Sequence, residues 1–221
     1  MTVSTSIITR PRRLARLTVG RVSLAILALL LALGIISWYA RATLLRGAAD
    51  LWIVSDSPGP ADAVAVFGGG IEDRPFAAAE YYHSGLVKKV LVSNVREGRT
   101  ELLGVLLPHT EANRHVLLKL GVPEEAIQTF GADLANTHEE ALALRNWAVR
   151  TGAHSIIVPT ETFAARRVSW MLRRVFGDAV VIRVPALDPP EYRDDNWWHD
   201  EKGIVAFQNE ILKYVYYRLK Y

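Results

Sequence analysis

The chain has 221 residues, 50% hydrophobic content and a formal net charge of +3, and this length fits one membrane anchor plus one domain. It has no cysteine, which excludes thiolate catalysis, cysteine-ligated metals and disulfides. Residues 1–21 contain five arginines and no acidic residue, so residues 22–221 carry a formal charge of −2 and the positive excess is confined to a leader. Because a polyanion-binding domain carries its positive excess on the folded body, we expect no nucleic-acid partner.

The N-terminal region has the pattern of a membrane anchor. Residues 1–21 form a basic leader, and residues 22–40 form an uncharged run that would span roughly 28 Å as a helix, which matches a bilayer core. Trp38 and Tyr39 at the end of this run are typical of a membrane interface. The positive-inside rule then predicts a single-pass plasma (inner) membrane protein with a cytoplasmic N-terminus and a domain on the periplasmic or extracytoplasmic side.

A cleaved signal peptide is the alternative interpretation of the same segment. Ala40-Arg41-Ala42 loosely resembles a cleavage site, which would place the mature start near Thr43. The apolar region of a signal peptide is usually about 7–15 residues long, so the longer run here favours a retained anchor. Both interpretations place the domain outside the cytoplasm, and residues 41–60 are interpreted as a linker.

Residues 61–221 alternate between strand and helix signals. Strands are predicted at residues 61–67, 89–93, 127–130, 155–159 and 179–184. Helices are predicted at residues 74–84, 110–120 with Thr110 as N-cap, 138–150, 162–175 and 203–219. This order predicts a Rossmann-like α/β domain of three layers, with a mostly parallel sheet of about five strands.

Ligands of open α/β sheets usually bind beyond the carboxyl ends of the strands, which selects a short set of residues. The candidate ligand-binding residues are Gly68, Gly69, Gly70, Arg74, Ser93, Asn136, Thr137, Arg166 and Arg167. Glycine amides, hydroxyls and guanidinium groups of this kind bind phosphate. Arginines in a first helical turn oppose the helix dipole unless an anion offsets them. We therefore predict that Arg166 and Arg167 share one anion pocket with the glycines.

Simpler interpretations remain beside these. The three glycines also fit a tight turn, and Thr137 also fits a helix cap. Glu111 and Glu140 are candidate catalytic bases, but each lies in a first helical turn, where the dipole alone stabilises a carboxylate. The histidines show no metal spacing, and the glycines depart from the GxGxxG pattern, so neither a metal nor a cofactor is predicted.

Several segments together resemble the YdcF/SanA/ElyC family of bacterial envelope proteins over about residues 61–218. They are DAVAVFGGG followed by Arg74, KKVLVSN, NTHEEA at 136–141, and VPTETFAARR. The resemblance implies a Rossmann-like fold, a role in peptidoglycan and envelope biogenesis, and a pocket formed by the candidate residues together with Glu111 and Glu140. Family members commonly have a histidine where this chain has Ala164, so the resemblance does not decide whether the protein is an enzyme.

Two functions follow from these observations. The first is an anchored envelope protein that binds or processes a phosphate-bearing ligand, either lipid-linked or nucleotide-like. Its expected partners are the lipid bilayer and a phosphate-bearing small molecule or lipid carrier. The second is a non-catalytic interaction protein of the cell-envelope machinery, in which the glycines and arginines serve only the fold.

Overall fold

The computed structural model describes residues 13–221, with side chains from residue 21 onward. The predicted basic leader, with Arg10 and Arg12, lies outside this range apart from its last residues. The described chain divides into two compact units, residues up to Gly47 and Ala48–Tyr221. Helix α1 (Arg13–Trp52) includes the whole predicted membrane segment. Residues 41–52, expected in a linker, continue this helix instead.

Helix α1 is long and apolar enough to cross a membrane. The candidate span covers Arg21–Trp52, and none of its most apolar window is buried against other described residues. Leucines and isoleucines between residues 24 and 36 are at least half exposed. An exposed apolar helix of this length near the N-terminus is typical of a membrane span and also of a signal sequence.

The second unit is built on seven strands. They are β1 (Ala63–Val66), β2 (Val90–Val95), β3 (Ile127–Leu134), β4 (Ser155–Ile157), β5 (Thr160–Glu161), β6 (Val181–Arg183) and β7 (Ala186–Leu187). Five of them form a parallel sheet in the order β3-β2-β1-β4-β6, and β5 pairs with β7 in a small second sheet. This confirms the predicted fold class and the parallel five-stranded sheet. The strand order reverses beside β1, and such a reversal opens a crevice at the carboxyl ends of the strands.

Helices cover both faces of the sheet. The α-helices of the second unit are α2 (Arg74–His83), α3 (Arg99–Leu102), α4 (His109–Lys119), α5 (Thr137–Thr151), α6 (Ala165–Phe176) and α7 (Glu201–Lys220), of which α3 has no buried residue. Along β1, Val64 and Val66 pack with residues of α2 and α4, whereas Ala63 and Ala65 pack with residues of α5 and α6. Because β1 is buried on both faces, its sequence is a continuous apolar run and not an alternating one.

The end of α5 agrees with its predicted position, whereas the start of α4 does not. Gly152 adopts a left-handed conformation with φ of +67° and closes α5, as its position predicted. Helix α4, however, begins at His109, so the prediction that Thr110 caps it is wrong. The hydroxyl of Thr110 instead donates to the carbonyl oxygen of Ser93 at 3.1 Å, which ties α4 to the end of β2.

Candidate functional site

A cleft of about 1010 Å³ lies at the carboxyl edge of the main sheet. Its lining begins directly after β1, at the end of β2 and at the end of β3, and continues onto α7. The predicted residues in its lining are Gly68, Gly69, Gly70, Arg74, Asn136, Thr137, Glu140 and Arg167. The lining residues that the sequence did not indicate include Arg96, Glu101, His109, Glu161, Glu210, Lys213, Tyr216 and Tyr217.

The glycine turn after β1 uses its amides within the protein. The Gly68 N–H donates to Glu140 Oε1 at 2.6 Å, and the Gly69 N–H donates to His109 Nε2 at 2.9 Å. A Cβ at residue 68 would lie 2.4 Å from a methyl carbon of Val95, and Gly69 has φ of +89°, so both positions favour glycine. These two amides therefore position side chains and are not open to a ligand.

Glu140 is a carboxyl group in a water-poor environment, with 5% of the residue exposed. Burial raises its pKa, and the Gly68 bond, the Ser93 hydroxyl and the charges of Arg74 and Arg167 oppose that rise without cancelling it. Ser93 Oγ is itself buried and has no hydrogen-bond partner of good geometry among the described residues. Glu140 thus keeps its proton to a higher pH than an ordinary glutamate, as proton donors in enzymes commonly do.

Arg74 is held completely by protein groups. It donates to both carboxylate oxygens of Glu161, at 3.1 and 2.5 Å, and to the carbonyl oxygens of Phe67 and Gly68. Burial alone would raise the pKa of Glu161, but the Arg74 charge and bonds outweigh burial and lower it. The pair is neutral as a whole, and its bonds to the two carbonyls fix the shape of the glycine turn.

On another part of the lining, two cations share one carboxylate. Arg167 donates to both oxygens of Glu210, at 2.6 and 3.1 Å, and Lys213 Nζ lies 2.9 Å from the same carboxylate. Arg167 also donates to the Thr137 hydroxyl at 2.8 Å, at the start of α5. Burial opposes ionisation of Glu210, yet Arg167 and Lys213 lower its pKa below the usual value. The cluster of two cations and one carboxylate therefore has a net charge of +1.

Arg166 lies outside the cleft, so the prediction that it shares a pocket with Arg167 is wrong. Its Nε donates to the Trp52 carbonyl oxygen at 2.6 Å, another nitrogen donates to the Leu51 carbonyl oxygen, and its guanidinium lies over the Trp52 ring. Consecutive residues of a helix point about 100° apart, so two neighbouring arginines rarely reach the same site. The bonds to the last carbonyls of α1 satisfy groups that a helix end leaves free.

Glu111 and Ala164 lie away from the cleft, whereas Asn136 lines it and also caps a helix. Glu111 is exposed on α4 and does not line the cleft. Asn136 caps α5, since its side-chain oxygen accepts from the amides of His138 and Glu139, both at 3.1 Å. Ala164 is 4% exposed within the hydrophobic core and does not line the cleft.

The described residues include no cluster of three or more histidine, aspartate or glutamate side chains that could hold a metal ion. His109 and Glu210 are the informative residues that sequence reasoning missed. His109 directly precedes Thr110, the predicted cap of α4, so the start of this helix is the signal that could identify it. Glu210 lies 43 residues from Arg167 along the chain, and no spacing rule connects the two.

Comparisons with known proteins place few limits on function. Neither a family model nor a curated protein sequence matches the chain. Among solved structures, the chain is similar to a universal stress protein in complex with cAMP, with 12% sequence identity and a TM-score of 0.37. The match covers 58% of this chain and 98% of that chain. A likeness this distant carries no argument about the ligand.

Proposed function

We propose that this protein is a membrane-anchored envelope protein whose α/β domain binds a phosphate-bearing ligand in the carboxyl-edge cleft. The observation that carries the proposal is the cluster of Arg167, Glu210 and Lys213, in which two cations share one carboxylate. The cluster adjoins Thr137 at the start of α5, where the helix dipole adds partial positive charge. An anion bound there would neutralise the excess.

The rest of the lining limits where such an anion can bind. Four basic side chains face five carboxyl groups, so the cleft is not uniformly basic. Arg74 is matched by Glu161, and Arg96 forms an exposed pair with Asp133 at 2.7 Å. Lys213 is the most accessible cation of its cluster, with 55% of its side chain exposed. A phosphate group should therefore meet Lys213 first and Arg167 behind it.

Glu140 is the candidate for proton transfer if the cleft carries out a reaction. Its raised pKa keeps a proton available near the glycine turn, and His109 lies on the adjacent turn amide. Glu111 has no such position and is no longer a candidate. A protonated carboxyl group beside bound phosphate suits general acid catalysis of phosphoester or pyrophosphate cleavage.

The binding proposal can be tested by thermal unfolding of the full-length protein with inorganic pyrophosphate as the probe. Binding to the native state should raise the melting temperature, by an amount equivalent to about 2.7 kcal/mol at one hundred times Kd. Lys213→Ala should reduce this rise. Lys202→Ala is the matched control, because Lys202 lies on the same helix in an exposed pair with Glu191 and does not line the cleft. Equal responses of the two variants would contradict the proposal.

The membrane part of the proposal rests on the apolar span in α1 and on the arginines before it. The cytoplasmic N-terminus and exported domain follow from the positive-inside rule, and the role in envelope biogenesis follows from the resemblance to the YdcF/SanA/ElyC family. A reporter fused after Tyr221 should be active only in a form that requires export. N-terminal sequencing of the membrane-extracted protein should find residues before Thr43 retained, whereas a start near Thr43 would show a cleaved leader.

A non-catalytic interaction protein of the cell-envelope machinery is the second candidate. It is favoured by the bonding of Arg74, whose guanidinium is committed to Glu161 and to two backbone carbonyls. Under this alternative, neither pyrophosphate nor other phosphate-bearing probes would shift the melting temperature of the wild-type protein.

A further inference from the structure

The segment between α3 and α4 exposes an unusual amount of aliphatic surface. Residues 102–107, which we call the apolar knob, contain five large apolar side chains that are 49–77% exposed. They are Leu102, Leu103, Val105, Leu106 and Leu107. Soluble surfaces seldom place so many apolar side chains side by side without a binding role. Core packing does not account for the knob, because none of these residues is buried.

The knob is a closed structure with its own hydrogen bonds. The amides of residues 102–106 all donate to carbonyl oxygens of residues 98–101. The Glu101 carboxylate accepts from the amide of Gly98 at 2.5 Å and from the amide of His109 at 2.9 Å, which joins the two ends of the segment. Backbone donors that are already satisfied can enter an apolar phase without the usual cost of losing water.

Size and composition favour a lipid partner over a protein partner. A stable protein interface uses about 20–30 residues on each side, with aromatic or arginine anchors at its centre. The knob offers five aliphatic side chains and no aromatic ring. Insertion into the boundary of a bilayer has no such size requirement, because each buried apolar group contributes separately. A membrane-anchored domain also meets the bilayer at a high effective concentration.

We propose that the apolar knob inserts into the interfacial region of a lipid bilayer and docks the domain on the membrane surface. The residues at its two ends, Gly98 with Glu101 and His109, also line the carboxyl-edge cleft. Docking therefore brings one rim of the cleft to the lipid headgroups. The substrate class is then an amphiphile whose phosphate headgroup enters the cleft from the membrane. This assignment of the substrate rests on the proposed phosphate binding.

The test uses the full chain in lipid nanodiscs with single cysteines that carry a polarity-sensitive fluorophore. The native chain has no cysteine, so each label is unique. Labels at Leu103→Cys and Leu106→Cys should be quenched by lipids with a nitroxide near the headgroup and protected from aqueous iodide. Val149→Cys, on α5 and equally exposed at 73%, should show the opposite pattern. A label at Leu30→Cys, tested with lipids that carry the nitroxide deep in the acyl chain, reports separately whether α1 is embedded.

Each result decides the proposal. Knob labels that respond to iodide as strongly as the Val149 label, while the Leu30 label is quenched by lipid, would overturn docking and leave the anchor intact. Knob labels that are protected from iodide but insensitive to nitroxide lipid would also overturn it, in favour of a protein contact. Replacing Leu103 and Leu106 by Glu should abolish lipid quenching of a label at Val105→Cys, whereas Val149→Glu should leave that quenching unchanged.

Discussion

Two arginine–glutamate pairs line the same cleft, and the difference between them separates a structural pair from a binding surface. Arg74 and Glu161 neutralise each other, and Arg74 also holds two carbonyls of the glycine turn. Arg167 and Glu210 have the same side chains and similar burial, but Lys213 adds a second cation. In a buried matched pair, removal of either partner destabilises the fold, because the other charge is left unpaired. A cluster with one unmatched positive charge also attracts an anion.

The largest effect is expected from Arg74→Ala. The substitution leaves the Glu161 carboxylate buried without its cation and frees two carbonyls, which should cost about 3–5 kcal/mol of the free energy of unfolding. Chemical denaturation measures this loss. Arg173→Ala, at a side chain that is 68% exposed, is the control and should change stability by less than about 0.5 kcal/mol. An equally small effect of Arg74→Ala would show that the pair does not hold the turn.

Arg167→Ala should have the next largest effect, about 1.5–3 kcal/mol, because Glu210 loses a charged hydrogen-bond donor but keeps Lys213. It should also weaken the thermal response to pyrophosphate. Arg166→Ala is the matched comparison, since the two residues are neighbours and only Arg167 lines the cleft. The Arg166 variant should keep the full pyrophosphate response. Loss of that response in both variants would contradict the assignment of the binding surface.

The pH dependence of stability should distinguish Glu140 from the paired carboxylates. Its pKa is raised above the ordinary 4.5, so its contribution is fully present below pH 4.5 and is lost as the pH rises through the folded-state pKa. The wild-type protein should therefore lose stability relative to Glu140→Gln by about 1.4 kcal/mol per pH unit in that window.

Glu161 and Glu210 change the unfolding free energy with pH in the opposite direction, and comparison with Glu140→Gln removes their contribution. Their pKa values are lowered, so their contributions are present above pH 4.5 and are lost as the pH falls. Both proteins share that acid-side loss, and it cancels in the difference between their unfolding curves. A difference that stays constant from acid to neutral pH would show that Glu140 ionises normally.

The smallest stability effect is expected from Lys213→Ala. More than half of the Lys213 side chain is exposed, so solvent screens its pair with Glu210, and the change in unfolding free energy should stay within about 0.2–1 kcal/mol. Thermal unfolding without ligand measures it. A loss as large as that of Arg167→Ala would mean that Lys213 is a structural member of the pair and not the accessible cation of the cluster.

The fold could be predicted from local patterns because each element carries its own signal. The apolar run of β1, the closing glycine of α5 and the alternation of strands with helices depend on residues close together in the chain. Parallel pairing follows from general rules for α/β sheets, whereas the strand order came only from the structure. The carboxyl-edge rule likewise selected the glycine turn, Arg74 and Thr137, all of which line the cleft.

The electrostatics of the cleft could not be predicted in the same way. The sequence marked Arg166 and Arg167 equally, and only the direction of each side chain on α6 separates them. Glu161 and Glu210 decide whether the arginines are free or matched, and both reach them from distant parts of the chain. A charge near a helix start is visible in sequence, but its partner is set by tertiary packing.

The most direct test of the binding surface is a structure of the protein with bound pyrophosphate. Phosphate oxygens should lie within hydrogen-bond distance of Lys213 Nζ and close to Arg167 and the start of α5, and the Arg74–Glu161 pair should be unchanged. Pyrophosphate bound to Arg74 in place of Glu161, or at a site that does not include Lys213, would contradict it.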